Sequence, residues 1–260
     1  MDWSFYLKVV KLIGTRYFFF AGLAFVLAYV LLNKFIKHKK IQQRYPRLKD
    51  YLREIGYSVL TILLFALVPL VLINNDSIRP HTTYYTDIGQ YGWTYFFSAF
   101  GLMLIMHDTY FYWTHRLMHH PSLFKIFHRV HHQSINPSPW AAYSFHPFEA
   151  VLEVGIVVIF LFTIPIQKTH LGIFFLFMII YNVYGHLGWE IYPQGFSRHW
   201  LGKWINTSVN HNQHHQFFKG NYGLYFLFWD RIMGTIRQDY DKQFAEVKSR
   251  TGDSVLTKSE

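Results

Sequence analysis

Four stretches of the chain, residues 17–33, 55–75, 88–107 and 169–189, contain no aspartate, glutamate, lysine or arginine. Each is close to the ~20 residues that an α-helix needs to cross the hydrocarbon core of a bilayer. A fifth apolar run, 154–167, is shorter and is interrupted by Pro165. It either crosses steeply or forms half of a shallow hairpin with the run that follows. Four such runs in one chain read as membrane spans more readily than as buried helices of a soluble core. The expected fold is all-α: an integral membrane protein with about four to five transmembrane helices.

Orientation follows from the cations beside the spans, because lysine and arginine concentrate on the cytoplasmic side. The 33–54 loop carries eight of them, whereas the 76–87 loop carries only Arg79. The first loop is therefore expected in the cytoplasm and the second outside. Crossing back along 88–107 returns the chain to the cytoplasm. An out-and-back pair from 154–167 and 169–189 leaves everything from about His186 onward there too, as a helical cap. The first apolar run ends in "NKFIKHKK" without a small-residue cleavage site, so it reads as a retained anchor rather than a signal peptide.

Composition narrows the partners. A chain that is 51% hydrophobic and 20% aromatic is too apolar to be disordered. Its formal charge of +10 suits anionic phosphate. No nucleic-acid motif accompanies that charge, so lipid headgroups are the expected partner and nucleic acid is not. With no cysteine, disulfides, cysteine-ligated zinc and iron–sulfur clusters are excluded. The expected organisation is an anchor helix and basic loop (1–55), a membrane domain carrying the chemistry (56–236), and a polar, solvated tail (237–260).

The chemistry is concentrated in histidine. Fourteen of the sixteen histidines fall between His107 and His215. His115 and His119 stand at i and i+4 and share one face of a helix. His128, His131 and His132 form H-x-x-H-H, and His211, His214 and His215 repeat it in "HNQHH". On helices each group is expected to point its imidazoles the same way. Eight are too many for one ion with an open position, and a structural zinc site closes with four. Two metals sharing eight histidines fit better, although imidazole alone suits zinc, copper, nickel and iron alike.

Taken together, the segments "HDTYFYWTHRLMHH" (107–120), "HRVHHQS" (128–134), "YSFHPFE" (143–149), "HNQHH" (211–215) and "NYGLYFLFWDRIMGT" (221–235) resemble the fatty acid hydroxylase/sterol desaturase superfamily. Its members are integral-membrane, non-haem di-iron oxygenases with three histidine boxes. The resemblance covers roughly residues 90–236. It implies metal-ligand roles for His115, His119, His128, His131, His132, His211, His214 and His215. Some relatives carry a further H-x-x-x-H before the last box. Here that stretch reads "NVYGH", which keeps His186 as a ligand and leaves Asn182 at best a weak or water-mediated one.

Other residues rank below these. Asp108 is a candidate acceptor for a ligand's ring N–H, as nearby carboxylates often are, or an ordinary helix-surface acid, and His107 begins the same segment. His120 points about 100° away from His119 on a helix, toward the surroundings of the site or the headgroups. His146 either lines the site or caps the following helix. His199 has no spacing partner, and His38, His81 and His170 read as loop residues.

The resemblance implies two iron ions, dioxygen and a lipid substrate (sterol, sphingoid base, fatty acyl chain or alkyl ether) that is hydroxylated or desaturated. Unactivated C–H bonds offer no acidic proton and no leaving group, so an oxidant must be generated in place. The chain has no haem-attachment motif and no dinucleotide glycine loop, so electrons must come from a separate protein or a small reductant such as a pterin. Two other classes compete. A membrane zinc hydrolase needs a water-activating acid, for which Glu149, Glu153 and Glu190 are candidates. A metal-binding or transport protein would place its histidines along a path inside the spans.

Overall fold

The structure, a computed structural model, describes residues 2–251. Asp2 starts α1 (Trp3–Phe25), its carboxylate accepting from the Ser4 and Phe5 amides at 2.8 and 3.3 Å. The helix continues through wider π-type turns over Val26–Leu31, where the Leu32 amide donates to the carbonyl of Leu27. A single turn, α2 (Asn33–Ile36), leads into the basic loop. In α3 (Leu48–Leu72), Asp50 accepts from the Arg47 amide at 3.0 Å and ties off the first turn. Then come α4 (Gly92–Met118), α5 (Pro121–Phe127) and α6 (Arg129–His132). α7 (Pro147–Thr163) and α8 (Lys168–Gly185) are joined through Pro165, which has no N–H with which to continue a helix. The chain closes with α9 (Ser208–Phe217), α10 (Phe228–Ile232) and α11 (Tyr240–Ser249). No strand forms among the described residues, only isolated bridges.

α1, α3, α4, α7 and α8 pack around a shared core that includes Phe65, Met103, Phe160, Phe174 and Ile179. Hydrogen bonds fix which ends lie together. At one end Glu54, near the start of α3, accepts from Ser134 Oγ at 2.7 Å and from Ser138 Oγ, just past the second histidine box. Tyr29 reaches the Leu187 carbonyl beyond α8 at the same end. At the other end Thr83 donates to the Leu161 carbonyl (2.7 Å) and Tyr95 to that of Pro165 (2.9 Å). The helices therefore alternate in direction, the three boxes gather at one end, and the 76–87 loop lies at the other.

Two helices, Trp3–Leu31 and Leu48–Leu72, are long and apolar enough to cross a membrane. The four to five expected spans are not reached on that measure: α7 has only 17 residues, and α4 and α8, although 27 and 18 residues long, are not apolar enough. The N-terminal helix is no detached anchor: Tyr17 is buried and donates to the Trp140 carbonyl at 2.8 Å. Nor are all cations of the basic loop free for headgroups. Lys40 is fully buried, with its ammonium 5.2 to 5.9 Å from the rings of Tyr29, Tyr45 and Trp189. The expected solvated tail is also corrected. Tyr240, Phe244 and Val247 recur at i, i+4 and i+7, one face of a helix, and are buried with Val209 and Leu227 in a second core. Residues 252–260 lie outside the described residues.

Candidate metal centre

Four helices deliver nine histidines to one place. His115 sits in the last turn of α4 and His119 caps that helix, while His128, His131 and His132 lie on the short α6 turn. His186 caps α8, and His211, His214 and His215 lie on α9. The nine divide into two groups: His115, His119, His128, His132 and His214, and His131, His186, His211 and His215. Within each, one nitrogen per ring lies within 4.8 Å of all the others.

This division corrects the expectation that each box points one way. Residues i and i+4 on a helix differ by about 40°, whereas i+3 swings about 60° to the opposite side. His128 and His132 accordingly join the first group and His131 the second. The third box mirrors this: His211 and His215 join the second group and His214 the first. Each H-x-x-H-H box thus contributes to both groups and links them.

The chemistry of the donors fits a metal. The Nε2 atoms of His186, His211 and His215 form a triangle with sides of 3.1 to 3.2 Å, and His131 Nε2 is 3.4 Å from that of His186. In the first group, His214 Nε2 lies 3.1 Å from His119 Nε2 and 2.9 Å from His132 Nε2. Nitrogens bound at about 2.0–2.1 Å to one ion stand about 2.9–3.4 Å apart for octahedral to tetrahedral angles. The opposite ring nitrogens fix the tautomers. His186 Nδ1 meets the Asn182 carbonyl at 2.7 Å, His115 Nδ1 the Tyr222 carbonyl at 2.9 Å, and His214 Nδ1 the Gly220 carbonyl at 2.8 Å. A carbonyl only accepts, so in these rings Nδ1 carries the hydrogen and Nε2 presents a bare lone pair. His115 Nε2 and His128 Nε2 are buried with no hydrogen-bond partner.

Burial, followed by the fields of neighbouring histidines, pushes His128, His131, His132, His211, His214 and His215 well below the ordinary imidazole value of 6.5. Neutral imidazole is the ligating form. In metal-free protein the unfolded chain takes up protons below about pH 6.5 while the folded cluster does not. Stability should therefore be level above that pH and fall steeply below it. Melting temperature against pH measures this, and a level profile down to about pH 5 would mean that the folded cluster is already charged.

The Fatty acid hydroxylase family model matches residues 100–235, a stretch that holds all nine histidines. The chain is 34% identical to a Delta(7)-sterol 5(6)-desaturase from Gibberella zeae, over 84% of this chain and 66% of that protein. It is 32% identical to the Lathosterol oxidase of Mus musculus and 30% to that of Homo sapiens, each over 85% of this chain and 70% of the relative. The chain belongs to the fatty acid hydroxylase family. No solved structure matches it.

Within this member of the fatty acid hydroxylase/sterol desaturase superfamily, several sequence expectations change. Asp108 does not hold a ligand ring. It accepts from the Tyr225 and Phe226 amides at 2.8 and 3.1 Å and so anchors the closing segment under the centre. His107, two turns before His115, pairs Nδ1 with the Tyr225 hydroxyl at 3.0 Å and belongs to neither group. His120 is exposed and accepts from the Ser122 amide to cap α5. His146 caps α7 by accepting from the Phe148 amide. Asn182 donates its side chain to the Ala142 carbonyl at 2.7 Å, so it serves the centre only through its main-chain oxygen on His186. His170, expected in a loop, is buried in the first turn of α8 and bonds the Phe96 carbonyl.

Glu149, named from the sequence only as a candidate acid for the competing hydrolase, has a different place in the structure. Its Oε1 lies 2.6 Å from His128 Nδ1, which makes it the orienting acceptor of a histidine in the first group. The signal for it was present, as an acid in "HPFE" at the start of an apolar helix. Glu190 is occupied elsewhere, accepting from Tyr184 Oη and the Tyr192 and Val209 amides. An apolar cavity of about 280 Å³, lined by residues including Val9, Ile13, Phe65, Tyr143, Val154 and Val157, opens among α1, α3, α7 and α8. It lies toward the bundle end remote from the histidines, and none of the nine lines it.

Proposed function

We propose that this chain is a membrane-bound di-iron oxygenase that uses dioxygen and external electrons to desaturate or hydroxylate a sterol-class lipid. The observation that carries the reading is the pair of adjoining all-histidine groups whose bare Nε2 atoms converge. The relatives act on sterols by name, one of them at the 5(6) bond of a Delta(7)-sterol. Iron is the proposed metal because removing hydrogen from an unactivated carbon is a redox reaction, for which zinc is unsuited. When bound, two irons would couple dioxygen and external electrons to cleavage of the C–H bond.

The chain's own residues prepare that reaction. The carbonyls of Tyr222, Gly220 and Asn182 and the Glu149 carboxylate fix four rings so that their lone pairs face inward. The ring of Phe145 packs 5.2 Å from His131, and Phe111 lies 4.9 Å from His115. These apolar walls limit water at the reacting carbon. The 280 Å³ cavity supports an apolar substrate. The electron donor is proposed to be a separate protein or a small reductant.

We also read α4, α7 and α8 as spans beside the two apolar helices, with the histidine end facing the cytoplasm. Their outer faces expose Phe97, Ile105, Val151, Phe162, Ile173 and Phe177, more apolar surface than a soluble monomer leaves uncovered. The chain contains no cysteine, so single-cysteine variants report cleanly on sidedness. Ser77→Cys should be labelled by an impermeant reagent from outside cells, and Ser122→Cys should not. The reverse pattern would contradict the orientation.

Lipid profiling of cells with and without the protein tests the reaction. A sterol altered by two hydrogens or one oxygen is expected with the wild type and not with His214→Ala. An unchanged sterol profile, alongside a change in another lipid class, would reject the substrate reading.

A further inference from the structure

Glu54, Asp108, Glu149, Glu190 and Asp230 are all buried, and each accepts at least one hydrogen bond. Glu153 differs. Its neighbours at i−4, i+3, i+4 and i+7 on α7 (Glu149, Ile156, Val157 and Phe160) are all buried, so it stands on the inward face. Its carboxyl has no hydrogen bond or ion pair within the described residues, and the residue as a whole is only partly buried. An inward carboxyl with no partner in the protein is free to pair with a ligand inside the bundle. An ionisable group in such apolar surroundings is costly unless something pairs with it.

We propose that Glu153 is the residue that binds the hydroxyl group of the lipid substrate. This rests on the sterol reading above, and it names the contact that orients the sterol. Glu149 touches His128 through its Nδ1, and Glu153 follows four residues later, about 6 Å along the same face. In a sterol the 3-hydroxyl is two carbon atoms from C5. With the 5(6) bond at the metal-facing nitrogens, a sterol whose rings extend into the bundle would carry that hydroxyl toward the turn of α7 that holds Glu153. Its neighbour Val154 lines the apolar cavity, so the polar contact adjoins apolar space on the same helix. A carboxyl group accepts the hydroxyl hydrogen whether it is ionised or not.

Equilibrium binding to the full-length protein in lipid nanodiscs, without reductant, tests this with two probes: a Delta(7)-sterol and its 3-deoxy analogue. Wild-type protein should prefer the hydroxylated sterol by about tenfold or more, as a hydrogen bond to a charged group predicts. Glu153→Leu should lose most of that preference, and Glu153→Gln, which keeps an acceptor, should retain most of it. In turnover, Glu153→Leu should raise KM for the hydroxylated sterol and leave kcat near normal. Neither variant should lower the melting temperature, because no hydrogen bond within the protein is lost. An unchanged preference in Glu153→Leu overturns the proposal while leaving the sterol reading intact. A fall in kcat on both probes in both variants overturns it in favour of proton delivery, and a lowered melting temperature with unchanged preference overturns it in favour of a structural role. Wild-type protein that binds neither probe removes the sterol reading, and this proposal with it.

Discussion

Replacing His186 with alanine should abolish turnover and lower the bound metal from about two ions per chain to about one. His186 belongs to the smaller group, and its Nε2 lies within 3.1 to 3.4 Å of those of His131, His211 and His215. Its removal leaves three nitrogens around a position built by four. The other group keeps all five of its histidines and should still bind. On the proposed reading, in which two metals act as one unit, losses should not add. His186→Ala and His214→Ala should each be inactive, and the double variant no worse. Metal content and melting temperature separate this from unfolding, since the single variant should retain one ion and a cooperative transition. Two ions and near-normal turnover in His186→Ala would show that the second group is not a ligand set.

The second large effect is expected at Glu149, which is fully buried and contacts no metal-facing lone pair itself. Its carboxylate accepts from His128 Nδ1 and so fixes the ring whose Nε2 faces the first group. Removing such an acceptor typically costs 10- to 100-fold in metal affinity or activity. Glu149→Ala should fall in that range, and Glu149→Gln, whose amide oxygen still accepts, should lose less. The measurement is metal affinity by competition with a chelator, taken together with turnover. Equal, near-wild-type affinity in both variants would mean that His128 is oriented by packing alone.

Much of the helical plan was legible because charge-free runs are long-range signals that neighbouring residues cannot blur. The same holds for the boxes. Histidines at i, i+3 and i+4 stay on one side of a helix, within about 100° of each other, and all eight box histidines arrive at the centre with His186 as the ninth. Their division into five and four was not legible by spacing alone, since it depends on the 100° between i+3 and i+4 once the two short helices face each other. The roles of Asp108, Glu149 and Asn182 escaped for a related reason. Each acts on a partner 21 to 118 residues distant or through main-chain atoms, and local pattern carries no trace of either. The tail was misjudged because a polar average hid three apolar residues on one face, Tyr240, Phe244 and Val247.

Titration of metal-free protein with ferrous iron under anaerobic conditions, followed by single-turnover assays at each step, bears most directly on the two-metal centre. Binding should saturate at two irons per chain, and activity should appear only as the second is bound, because the two histidine groups share boxes and act together. Zinc should fill the same positions without restoring turnover. Full activity at one iron per chain, or with zinc and no iron, would contradict a centre built from two histidine groups for oxygen chemistry.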